Sequence, residues 1–125
     1  DLTFERGVRL GYRDRGHVFI SGTASIDPEG RVVHEGDPAA QAERACRNVE
    51  GLLADAQARP ADVAQLLGYV RNAEDHRVVR EVVAARFPGA PLLVTRASVC
   101  RPAWLVELEC VAITPESSDP SRFAF

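Results

Sequence analysis

The stretch SVCRPAWLVELECVA, residues 98 to 112, constrains the fold more than any other part of the chain. By the period-two alternation of a strand, Val106, Leu108, Cys110 and Ala112 share one face, and Leu105, Glu107, Glu109 and Val111 share the other. The first face is core. The second sets two carboxylates among branched apolar residues, and a carboxylate in such surroundings is costly unless it is paired, hydrogen-bonded or protonated. A strand of this kind belongs in a sheet covered on one side only, whose other side faces solvent or a second subunit.

The rest of the chain supplies such a sheet. Two strands at about residues 3 to 12 and 17 to 23, joined at Asp14-Arg15-Gly16, read as a hairpin. Asp27-Pro28-Glu29-Gly30 has turn chemistry and leads into a short third strand from Arg31 to His34. Asp37-Pro38 supplies an N-cap followed by proline at the first helical position. Ala42, Ala45, Cys46, Val49, Leu52, Leu53 and Ala56 then recur at helical spacing, which predicts a helix over about 38 to 57. Leu66 to Arg71 reads as a fourth strand, and Asn72 caps a second helix over about 73 to 86, with Asp75 as a capping-box partner and Val78, Val79, Val82 and Val83 inward. Phe87-Pro88-Gly89-Ala90-Pro91 ends it, and strands at about 92 to 100 and 104 to 113 flank Arg101-Pro102-Ala103. The order β-β-β-α-β-α-β-β predicts an α+β fold with both helices packed on one face of a mixed sheet. Residues 1–115 are expected to form a single domain and residues 116–125 a polar C-terminal tail.

With 125 residues, a formal charge of -3 and scattered arginines, the chain offers no electrostatic case for nucleic acid. No apolar run approaches the roughly 18 residues that span a bilayer, and no signal peptide opens the sequence, so no membrane partner is expected. The cysteines Cys46, Cys100 and Cys110 are odd in number and lack C-x-x-C spacing, which argues against a disulfide framework or zinc site and fits a cytoplasmic location. His17, His34 and His76 have no metal-ligand spacing either, so no metal is expected. All 15 basic residues are arginine. Schiff-base chemistry and a P-loop lysine are thereby excluded, while cations suited to planar carboxylates are plentiful.

The strand HVFISGTASID, the run AAQAERACRNVEGLLADAQARPADVAQLLGYVRNAEDHRVV and the closing LVELECVA, in that order and spacing, resemble the RidA/YjgF superfamily over nearly the whole chain. GTASID, HEGDPAAQ and VCRPAWLVELE more closely resemble the second half of the chorismatases, which are larger proteins. The resemblance implies a chorismate-mutase-like (RidA-type) fold and a homotrimer with sheets inside, helices outside and clefts between subunits. It implies no cofactor, and a small carboxylated metabolite as partner. Imine deaminases of the superfamily clamp the substrate carboxylate with arginine in a Pro-x-Arg pattern, where Pro91-Leu92-Leu93 here has Leu93. They carry asparagine where this chain has Arg80, which instead matches a carboxylate-binding arginine of chorismatases.

Glu107 matches the glutamate that both branches place in the site, and in chorismatases that residue is thought to protonate an enolpyruvyl ether. Such a role needs a carboxylic acid kept neutral by desolvation; the alternative is a glutamate on an open surface. Cys100, seven residues earlier, has the chorismatase-like spacing and is expected to shape the pocket or attack an intermediate, unless it is simply a small apolar residue. Arg80 is the expected carboxylate anchor and Arg96 a second candidate, each against the alternative of a solvated arginine. Ser21, Gly22 and Thr23 end a strand where backbone and hydroxyls can meet a ligand, or where a plain turn uses the same residues. Glu109 is expected to be structural. The expected function is proton transfer by glutamate on a chorismate-like enol ether or enamine. The alternatives are an ordinary 2-imino acid deaminase and a non-catalytic ligand-binding trimer.

Overall fold

A computed structural model of the chain describes residues 6–115. The expected tail, residues 116–125, lies outside the described residues. Five strands form one sheet: β1 (Gly7–Gly11), β2 (Arg15–Ala24), β3 (Val63–Val70), β4 (Leu92–Arg96) and β5 (Val106–Pro115), in the spatial order β1-β2-β5-β3-β4. The sheet is mixed, because β3 and β4 run parallel and every other pair is antiparallel. The parallel pair needs a crossover, which the second helix provides. Helices α1 (Pro38–Asp55) and α2 (His76–Arg86) touch each other, with α1 over β2 and β5 and α2 over β3 and β4.

The two-faced strand behaves as its alternation requires. Val106, Leu108, Cys110 and Ala112 are buried beneath the helices, against Val49 and Leu53 of α1 and Val79 and Val83 of α2. Burial pushes the thiols of Cys46 and Cys110 up to about 12, so both are inert core residues. On the other side Val8, Leu10, Phe19, Leu93 and Ile113 remain 42% to 62% exposed. Helix α1 starts where expected, with the Asp37 side chain accepting from the Ala40 amide and proline in the first turn.

Several boundaries differ from the expectation. Arg31 to His34 is no strand. Val32 makes a single bridge to Ile26, and His34 adopts a φ of 61°, which a strand cannot contain. Asn72 makes no side-chain cap; a 3₁₀ turn over Ala73–Asp75 comes between it and α2. Residues 97–105 form a long loop rather than the ends of two strands, and β3 lies between β4 and β5. Cys100 is therefore on an exposed loop, not on a strand neighbouring Glu107.

Candidate functional site

The site begins with a bulge. On β2, Ile20 pairs with Cys110 and Thr23 with Leu108, so three steps along β2 match two along β5. The extra residue bends the strand at Ser21 and Gly22, and bulges re-aim side chains in this way beside many functional sites. A Cβ at Gly22 would collide with Oε1 of Glu107. Glycine is thus required for the carboxyl to lie against the backbone. Beside it Thr23 is buried, and its hydroxyl has no hydrogen-bond partner among the described residues. The Ser21 hydroxyl donates to the Arg6 carbonyl at 3.0 Å.

Glu107 is half-buried on the open face and makes no hydrogen bond or ion pair with another described residue. Desolvation, followed by the negative charge of Glu109, holds its carboxyl above the ordinary value of 4.5. Across the ladder Glu107 faces Tyr69, which in turn pairs with Thr95 of β4. The Tyr69 phenol donates to Oε1 of Glu109 at 2.8 Å, which raises its own pKa and fixes the second carboxylate. Glu109 thus has a structural partner, while Glu107 has none among the described residues.

The loop leading into β5 is held by two side chains that sequence reasoning passed over. Fully buried Gln41 donates to the carbonyls of His34 at 3.2 Å and Ala103 at 3.0 Å, and its oxygen accepts from the Leu105 amide at 2.9 Å. Arg71 donates through Nε to the Trp104 carbonyl at 3.0 Å, and through Nη2 to Val99 at 2.9 Å and Arg101 at 2.7 Å. These bonds shape the stretch carrying Cys100 and set the entry of the strand carrying Glu107. Gln41 does fall within HEGDPAAQ, but only the folded loop reveals its partners.

The arginines stand elsewhere. Arg80 is exposed on α2, and its closest polar contact is the Leu92 carbonyl, 3.5 Å away. Leu92 pairs with Leu66, three residues from Tyr69, which puts that contact roughly 10 Å along the sheet from the row containing Glu107. Arg96, exposed at the end of β4, reaches the Arg71 carbonyl at 3.4 Å. Within one copy, then, Glu107 and Gly22 come together, Thr23 pairs with Leu108 on the buried side of the sheet, and no hydrogen bond or ion pair joins Arg80, Arg96 or Cys100 to Glu107. No group of three or more metal-ligating side chains forms among the described residues, and no described helix is long and apolar enough to cross a membrane.

The profile of the endoribonuclease L-PSP family matches residues 6–114. The chain belongs to this family, the RidA/YjgF proteins. A chorismatase from Streptomyces hygroscopicus is 36% identical over 116 residues, which cover 85% of this chain and 33% of the relative. Two solved structures share the RidA/YjgF fold. A chorismatase matches at 35% identity and a TM-score of 0.74, over 86% of this chain and 35% of the other. A YjgF/YER057c/UK114 family member from Mycobacterium tuberculosis matches at 30% identity and a TM-score of 0.73, over 87% and 85%. The chain spans about a third of the length of the chorismatases it matches.

Proposed function

We propose that this RidA/YjgF protein is an enzyme that transfers a proton from Glu107 to a small carboxylated metabolite, in a cleft completed by a second copy. The observation that carries the proposal is the carboxyl of Glu107, pressed against Gly22 and without a hydrogen-bond or ion-pair partner among the described residues. Desolvation keeps it protonated at higher pH than a free glutamate. A neutral acid so placed can protonate the methylene carbon of an enol ether. Water then adds to the resulting oxocarbenium carbon and returns a proton to the Glu107 carboxylate, and the hemiketal collapses, its hydroxyl proton passing to the leaving oxygen, to a keto acid and an alcohol. The chorismatase likeness supports an enol ether of the chorismate class as substrate. Gly22 leaves room for the carboxyl.

A carboxylated substrate needs a cation, and no cation among the described residues of one copy pairs with Glu107. The exposed apolar row of Val8, Leu10, Phe19, Leu93 and Ile113 on the same side of the sheet supports burial against further copies, in a homotrimer. Arg80 of a neighbouring copy would then anchor the substrate carboxylate, with Arg96 as the second cation and Cys100 shaping the pocket. No resident cofactor takes part, and the cytoplasm is the proposed location. An ordinary imine deaminase role is disfavoured, because the place of that branch's clamping arginine holds Leu93, 62% exposed on the open face.

The test replaces Glu107 with Gln and follows pyruvate release from chorismate and ammonia release from 2-aminoacrylate. The expected outcome is turnover of chorismate that falls at least about a hundredfold in the variant, the usual scale for loss of a general acid. An unchanged rate would remove Glu107 as the proton donor. Carboxylate binding without turnover by the wild type would leave a ligand-binding protein in place of an enzyme.

A further inference from the structure

A concavity lies away from Glu107. It is a groove of about 790 Å³ between one flank of α1 and the turn over residues 26–30, within the size range of small-molecule sites. Neither Glu107, Cys100 nor Arg80 lines it. Four of the chain's 15 arginines do: Arg6, Arg44, Arg47 and Arg101. In a protein of net charge -3 this is a marked local excess of cations.

The nearby acids do not cancel it. Asp27 accepts from the backbone and Nε of Arg31, both at 2.8 Å, and Glu29 meets the same guanidinium at 3.4 Å, so Arg31 serves both carboxylates. Its one charge offsets one of the two, so with Asp55 the three carboxylates leave the groove with a net excess of two cations, Arg31 included. Two of the four lining arginines are fixed in place. Arg44 donates Nε to the Ile26 carbonyl at 3.2 Å, and Arg101 donates Nη1 to the Gly30 carbonyl at 2.7 Å while lying 5.1 Å over the Trp104 ring. Each bond uses one of a guanidinium's five donors. Arg47 forms no ion pair with any described residue.

The helix itself gives an independent indication. Gly51 is exposed within α1, where glycine is the least favourable residue after proline. A Cβ there would meet nothing within 4 Å, so no packing among the described residues requires glycine. It lines the groove, and its missing side chain lets an occupant approach the helix backbone. Ile26 and Leu52 give the groove an apolar side.

We propose that this groove binds a small organic anion carrying two or more negative charges on carboxylate or phosphate oxygens, held by Arg47 and Arg101 over Gly51. Guanidinium recognises both oxyanions bidentately, so the chemistry is shared. Isothermal titration of the full chain with inorganic pyrophosphate and, separately, isophthalate distinguishes the phosphate from the carboxylate source. Saturable binding of at least one probe, weakening as salt rises, is expected. Arg47→Ala and Arg101→Ala should each weaken it about tenfold or more, as loss of a charged hydrogen-bond donor does. Gly51→Leu should abolish binding while keeping the far-UV circular dichroism and thermal stability of the parent, because leucine favours the helix and blocks only the groove. No saturable binding of either probe up to about 10 mM would overturn the proposal. So would affinities unmoved by all three substitutions, or a Gly51→Leu variant that instead changes oligomeric state, which would make the groove a protein interface.

Discussion

Glu107 shows how a single residue can be both a stability cost and a functional asset. Its carboxyl is protonated more readily in the fold than in the unfolded chain, since burial and Glu109 both disfavour the charge. A group whose native pKa is raised adds stability while protonated, below the ordinary 4.5, and that contribution is lost as pH rises through the native value. Glutamine does not titrate. Unfolding free energies from denaturant titrations at pH values from about 4 to about 7 should therefore show Glu107→Gln gaining on the wild type as pH rises. Parallel profiles would mean that the carboxyl is not perturbed. The face on which Glu107 lies was legible from alternation alone. Its contact with Gly22 was not, because a β-bulge is a matter of register between distant strands. The Tyr69 to Glu109 bond was hidden for the same reason.

Among the elements, those with a strong period or cap were readable in the sequence, and those defined by tertiary bonds were not. Asp37-Pro38 marks the start of α1, and the alternation of β5 follows from its residue types. The short strand expected at Arg31 to His34 failed because two valines favour a strand locally, yet only a single bridge partner exists there. Residues 97–100 and 104–105 were read as strand ends because nothing in ASVCRPAW announces that Arg71 will draw three of the loop's carbonyls away from the sheet. Gln41 and Arg71 together make this loop a built element. Gln41→Leu would leave the Leu105 amide and two carbonyls without their buried partner, which predicts a loss of about 1–3 kcal/mol. Urea unfolding should show a lower midpoint with an unchanged slope. A midpoint equal to the wild type would mean that the loop holds without this side chain.

At the scale of the whole molecule, one copy presents a half-covered sheet with the acid on its open side and Arg80 in contact with the far end of β4. Sequence resemblance pointed to both groups, but which copy supplies each is a question of assembly that residue patterns do not answer. The proposal that neighbouring copies complete the site makes a combinatorial prediction. In a cyclic trimer every interface pairs the acid of one copy with the arginine of the next. Glu107→Gln and Arg80→Ala should each be inactive on chorismate. Trimers reassembled from an equal mixture of the two variants should regain about a quarter of wild-type turnover, since random mixing leaves about that fraction of interfaces with both groups intact. A mixture as inactive as its parents, or an Arg80→Ala variant as active as wild type, would contradict a site shared between copies.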